Sequence, residues 1–295
     1  MGGVFRAVRL SARSLARSPG FTVPALLILA IGMTAATAVF TVVDSIAFRP
    51  LDLPESDRLV LVCEEHPRLQ GYCIASPGQV EDFRQATRTL SDLGIGRTWE
   101  YALSDRAGST GVSGGLATAG FLRALGVRPA LGRLFVDEEH GPDNDKVVLL
   151  SHALWTTRYG SDPDVVGSTL DLDEEPYTVV GVLPAGFEAP FDMAGVQLWK
   201  PPHFDPLDPE VRGWRGFAAV GRLAPGVELA AAADELTAVY ARIAEQHEEV
   251  NDEWRLRVSP LLDIVVGDTR PVLLAFLGAA ALLVLIVCAN VANLL

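Results

Sequence analysis

Two stretches of the chain are apolar on every face, and what lies between them is amphipathic. No residue from 18 to 43 is charged, and at about 1.5 Å per helical residue the apolar run 23–43 covers the roughly 30 Å hydrocarbon layer of a bilayer. A second run, from about Val272 onward, carries Leu273, Leu274, Phe276, Leu277 and the block 282–287. Each run predicts a transmembrane helix. A cleaved leader is the other reading of the first, since Ala36-Thr37-Ala38 resembles a processing site, but the apolar run continues through Val39, Phe40, Val42 and Val43 without a polar spacer.

Between the two runs the period is short and often interrupted. Residues 59–62 read as a strand. Ser76-Pro77-Gly78-Gln79 resembles a capping box with proline at the first helical position, opening a helix to about Thr89 with Val80, Phe83 and Leu90 on one face. Strand-like pieces follow at 93–97 and 112–117, and Thr118 caps a helix that begins at Ala119 and stops at Gly126. Residues 147–150 form a buried-type strand, after which Ser151 caps a helix through Tyr159. A hairpin pairs 168–172 with 177–183 around the polar tip 173–176. The proline-rich stretch 184–209 reads as irregular. Beyond it lie a strand at 217–223, the longest soluble helix at 228–247 with the stripe Leu229, Leu236, Val239, Tyr240 and Ile243, and a last strand at 254–258. Strands and helices in no strict alternation predict an α+β domain in two lobes. The expected plan is a basic amphipathic segment 1–20, a first transmembrane helix 21–43, an extracytoplasmic domain 44–270 and a second transmembrane helix 271–295.

Charge orients this plan. All 37 acidic residues of the 295-residue chain fall between Asp44 and Arg270, and the net charge is -13. Arg6, Arg9, Arg13 and Arg17 precede the first span on one helical face, so the positive-inside bias holds the N-terminus in the cytoplasm and sends 44–270 outside a plasma (inner) membrane. The same four arginines read either as an interfacial helix resting on the anionic lipid bilayer or as a bare topology signal. An acidic domain repels a phosphate backbone, which argues against a nucleic-acid partner.

Candidate chemistry is sparse. Cys63 and Cys73 share the outer, oxidising side and form a candidate disulfide, with two free thiols as the alternative. The chain has no phosphate-binding loop of the Walker type. His66, His140, His152, His203 and His247 are scattered rather than spaced for zinc. Asp143-Asn144-Asp145 lacks the glycine and distal glutamate of a calcium loop and reads as solvated, and Glu64-Glu65-His66 reads as acids on an exposed face. No nucleophile is paired with a base, so no enzymatic activity, metal or cofactor is expected. Thr34, Thr37 and Thr41 stripe the first span, and Asn290 and Asn293 the second. These are candidate helix-packing residues, with back-bonding to their own helix as the alternative for the threonines.

Several longer motifs carry a resemblance. Arg17-Ser18-Pro19-Gly20-Phe21-Thr22 stands before the first span and Phe48-Arg49-Pro50-Leu51-Asp52-Leu53-Pro54-Glu55-Ser56-Asp57-Arg58 after it. Leu125-Gly126-Val127-Arg128-Pro129-Ala130-Leu131-Gly132-Arg133, Val179-Val180-Gly181-Val182-Leu183-Pro184, Gly221-Arg222-Leu223-Ala224-Pro225-Gly226 and Cys288-Ala289-Asn290-Val291-Ala292-Asn293 follow in order. Together they resemble MacB/FtsX-type ABC transporter permeases across nearly the whole chain. The resemblance implies a MacB-like periplasmic core domain between membrane helices, a second permease unit (a homodimer or a duplicated half), a separate cytosolic ABC ATPase, and a periplasmic partner or exported substrate. It also implies further helices after the second, so the chain is expected to be the N-terminal part of such a permease, with 271–295 opening an FtsX-like domain. The other class left open is a two-span membrane sensor or adaptor with a ligand-binding outer domain.

Overall fold

The computed structural model describes residues 53–69, 71–105, 108–141, 144–205, 208–247, 249, 253–266 and 270–294, with isolated helical positions between 20 and 41. Arg6, Arg9, Arg13 and Arg17 lie outside the described residues. The chain divides into two units, Met1–Pro50 with Val266–Leu295, and Leu51–Val265.

The second unit is built on one ten-stranded sheet. Its strands are β1 (Leu59–Glu65), β2 (Leu90–Asp105), β3 (Gly108–Ala117), β4 (Leu131–Gly132), β5 (Val147–Leu150), β6 (Thr169–Leu172), β7 (Glu175–Val182), β8 (Leu198–Lys200), β9 (Ala218–Leu223) and β10 (Arg255–Pro260). They lie in the order β10-β1-β9-β2-β3-β8-β5-β7-β4, with β6 paired to β2 and β7. The helices are α1 (Pro77–Ala86), α2 (Ala119–Ala124), α3 (His152–Arg158), α4 (Pro209–Arg212), α5 (Leu229–Gln246) and α6 (Leu261–Val266), followed by α7 (Arg270–Leu294) in the first unit. The two expected lobes therefore share a sheet, joined where β3 and β8 pair in parallel.

β1 shows why its sequence is continuously apolar rather than alternating. Leu59, Leu61 and Cys63 pack with Phe121, Leu122 and Leu125 around α2, while Val60 and Val62 pack with Phe83 of α1 and Leu236, Val239 and Ile243 of α5. Successive side chains point to opposite faces, so a strand covered by helices on both must be apolar at every position. A third cluster joins Leu154 of α3 to Val148, Leu150, Tyr177 and Val179 of the sheet. The approach of α2 to β2 depends on two glycines. A Cβ on Gly94 would sit 2.1 Å from the Phe121 nitrogen, and one on Gly120 would sit 2.2 Å from the Leu93 oxygen.

Most predicted elements occur near their expected positions, and the departures have physical causes. The pieces at 93–97 and 112–117 belong to one long hairpin, paired from Gly96↔Ala117 to Asp105↔Gly108. Its glycines and polar residues disguise the strand, and cross-strand pairing overrides weak local propensity. β8 arises inside the proline-rich stretch because Trp199, fully buried, packs 6.2 Å from Phe121. Asp145 is not in a solvated loop: its side chain is wholly buried and 2.8 Å from Nδ1 of His203.

The start of α1 is also corrected. Ser76 Oγ accepts from the Gln79 N–H at 3.3 Å, but the reciprocal bond of a capping box is absent, and the Gln79 amide is buried without a partner. The Ser76 N–H instead donates to Glu64 Oε1 at 2.7 Å. Glu64 is thus no exposed acid. It is 1% exposed, and its other oxygen pairs with Arg215. The pleat that turns Val60 and Val62 inward turns Glu64 inward as well, where a guanidinium and a helix N-terminus satisfy its charge. Burial, with Glu64 nearby, pushes the Tyr240 hydroxyl up to about 12. Beside this pair Cys63 and Cys73 form a disulfide with Cα atoms 4.8 Å apart, and the Glu64 N–H bonds the Ile74 carbonyl at 2.6 Å, closing the intervening loop.

In the first unit Thr34 and Thr41 donate to the carbonyls of Ala30 and Thr37 at 2.7 and 2.8 Å, which is back-bonding within a helix. The side chains of Asn290 and Asn293 lie outside the described residues. Over the described residues alone, no helix is long and apolar enough to cross a membrane.

α5 is tied to the sheet by one carboxylate. Glu235 accepts from the hydroxyls of Thr87 and Thr89 and from the N–H groups of Arg88 and Thr89. Partial burial pushes its carboxyl upward, but these bonds outweigh that effect and hold it down to about 2. With an unfolded value near about 4.3, its stabilisation is complete above about pH 4.5 and lost as pH falls toward 2. Glu235→Gln should therefore cost about 1 kcal/mol in urea unfolding at neutral pH, after allowance for solvent screening, and the difference from wild type should shrink below about pH 4 and vanish only as pH falls through about 2. A Cys63→Ser/Cys73→Ser double variant should speed hydrogen exchange in residues 64–74 while the sheet stays folded, and unreduced peptide mapping of the wild type should recover the bridged pair.

Candidate functional site

Motifs far apart in the sequence meet around a cavity of about 860 Å3. Its walls include Leu53 and Pro54 from the segment that enters the domain, Val127 after α2, Phe187 after β7, and Arg222 from β9. Register decides which way Arg222 faces. β9 turns Val220 and Arg222 to the side occupied by α2, and Arg222 is opposite Leu59 of β1.

From there the Arg222 guanidinium reaches three pieces of backbone. Nε donates to the Ala124 carbonyl at 2.8 Å, Nη2 to the Pro54 carbonyl at 2.8 Å, and Nη1 to the Glu55 carbonyl at 3.2 Å and its carboxylate at 3.3 Å. Ala124 is the last residue of α2, where carbonyls lack helical partners and a cation is favoured. Burial, reinforced by the neighbouring Arg58, lowers the Arg222 pKa, yet a guanidinium stays charged at any physiological pH. Arg58 adds two bonds to the Leu223 carbonyl, at 3.0 and 2.6 Å, and pairs with Glu55. Gly126 closes α2 with φ of 71°, and a Cβ there would crowd Arg222 Nη2 at 3.2 Å. Only glycine meets both conditions without strain.

The opposite end of α2 is set by a neutral histidine. His140 Nε2 accepts the Ala119 N–H at 2.9 Å, and burial lowers its pKa, which keeps that lone pair free.

The exit from the domain lies beside the entry. β10 pairs antiparallel with β1 from Val60↔Pro260 to Glu65↔Arg255, and Leu261, directly after β10, is buried in the same cluster as Leu59. Whatever displaces either end acts on one sheet edge. Arg58 and Arg222, which anchor that edge, went unnoticed as site residues in the sequence, although both stand in motifs that carry the resemblance. Of the candidates read from sequence, the structure brings together Cys63 and Cys73. Thr34, Thr37 and Thr41 are helical and exposed. Among the described residues no three His, Cys, Asp or Glu side chains gather as metal ligands do.

An α+β domain whose two chain ends leave one sheet edge together is built for insertion between other segments of its chain, as the extracytoplasmic domains of permeases are. The sequence matches the model of the MacB-like periplasmic core domain over residues 22–239, and the chain belongs to that family, which is of the ABC-transporter permease type. Among solved structures, a domain of a protein described as a permease from Porphyromonas gingivalis superimposes with a TM-score of 0.51 at 20% identity, covering 71% of this chain and 93% of that one. The periplasmic region of MacB from Actinobacillus actinomycetemcomitans gives 0.50 at 13% identity, covering 70% and 90%. At these identities the likeness shows the fold alone. No curated protein matches the sequence.

Arg222→Ala should unclamp the entry segment. The expected loss is about 2–4 kcal/mol, because buried carbonyls are left without donors, with faster hydrogen exchange at 55–58 and 124–127. Arg222→Lys should fall between the two, since an ammonium cannot span the three partners in the same plane.

Proposed function

We propose that this chain is a permease subunit of a MacB/FtsX-type ABC transporter. It couples the ATP cycle of a separate cytosolic ATPase to motion of its extracytoplasmic domain, for export of a substrate or activation of an outer partner. Membership of the family supports the class, and the pairing of β1 with β10 carries the mechanical reading. That pairing places the entering and leaving segments side by side, so a relative shift of the two is imposed directly on the sheet edge. Arg222 and Arg58 then extend it to β9 and α2. In this reading the apolar runs 23–43 and 272–294 are the membrane spans, the N-terminus is cytoplasmic and a second permease unit completes the assembly. The sequence carries no Walker-type loop, which is consistent with ATP chemistry on a separate subunit.

Two measurements test this. A Glu174→Cys variant, at the exposed hairpin tip, should be modified in intact cells by a maleimide that cannot cross the membrane. Protection there, with modification near Gly2, would overturn the orientation. The pure chain should show no ATP turnover, and turnover abolished by a single substitution within it would defeat the mechanical reading.

A further inference from the structure

Among the described arginines that are not exposed, one stands apart from the ion pairs of the domain. Arg97, on β2, lies within a cage of rings: its guanidinium carbon is 4.9 Å from the centre of Trp99, 5.1 Å from Trp214 and 5.2 Å from Phe217. Trp214 and Phe217 meet edge to face at 5.0 Å, and Phe204 packs against both at 5.7 Å. Arg158, Arg212, Arg215 and Arg222, also drawn away from water, each hold a carboxylate. Among the described residues Arg97 holds none, and its Nε is buried without a hydrogen-bond partner. The chain carries 37 acidic against 24 basic residues, so acids to pair with it are plentiful. Folding nevertheless leaves this cation to ring faces alone, which stabilise it by far less than a bound anion does in a water-poor site.

The cage opens on a cleft of about 440 Å3 whose lining includes Tyr72, Ile74, Arg97, Phe191, Met193 and Phe217. Gly216 also lines it, and a Cβ built there would lie 3.5 Å from Arg97 Nη1, so the missing side chain leaves that edge of the guanidinium uncovered. Tyr72, in the lining, is 64% exposed, and Trp99 and Trp214, which face the guanidinium from beside the lining, are 47% and 38% exposed. Clefts of this volume suit small molecules, and a few polar groups in an apolar lining set their orientation.

We propose that this cleft binds a small carboxylate with an apolar, ring-sized body. The carboxylate takes the open edge of Arg97 and the body lies against the aromatic faces. Charge complementarity selects the anion, and the cleft's size selects a small body over a folded segment. The site rests on the folded domain and is independent of the transport reading, so either can fail alone.

The test uses the full chain in lipid nanodiscs, with 4-phenylbutyrate as the probe, tryptophan fluorescence as the readout and empty nanodiscs as the control. Saturable binding is expected with a Kd of roughly 0.1–1 mM. The uncharged 4-phenylbutyramide should bind roughly tenfold or more weakly, as should the acid to Arg97→Gln, with Arg97→Lys intermediate. Trp99→Phe and Trp214→Phe should each remove part of the signal and so locate it. Equal binding of acid and amide to the wild type would overturn the proposal, and that comparison stands even if Arg97→Gln does not fold. So would the absence of a saturable response to the acid, or an unchanged affinity in a folded Arg97→Gln.

Discussion

A guanidinium taken out of water must recover its hydrogen bonds from the protein, and Arg222 recovers them from places distant in sequence. Its partners are the entry segment at Pro54 and Glu55 and the last turn of α2 at Ala124. Because the donors are fixed in a rigid fork, the carbonyls must converge to meet them, and convergence sets where the chain enters the domain. Gly126 then has to be glycine, since its left-handed turn passes directly under that fork. The cavity beside these residues is lined by the entry segment, the end of α2 and the turn after β7.

The sheet distributes this constraint. With β1 between β9 and β10, the strand that follows the entry and the strand that precedes the exit are neighbours, and both rest on strands whose faces are closed by helices. Such a strand cannot slip by one residue without turning Leu59, Leu61 and Cys63 toward the wrong helix. The Glu64–Arg215 pair and the adjacent disulfide fix the far end of β1, so the edge is pinned at both ends.

The two arginine sites differ in kind. Arg222 has its partners within the chain and is closed, whereas Arg97 is surrounded by rings and keeps an open edge toward a cleft. The first organises backbone, and the second is arranged to receive something.

Much of this protein was legible in its residue order. The caps at Ser76, Thr118 and Ser151, the stripe on α5 and the hairpin, read with its tip at 173–176 and turning at 173–174, depend on interactions within a few residues, which sequence displays directly. The motifs around Pro54, Gly126 and Arg222 announced the family, but their meeting in space did not show, because nothing local in a strand says which backbone its arginine will reach. Only the tertiary structure turned Glu64 from a surface acid into a buried cap for α1, made a strand of Leu198–Lys200, and gave Arg97 three rings and, among the described residues, no carboxylate. In each case the deciding partner comes from an element remote in sequence, and the worth of a charge or a short strand depends on what packs against it.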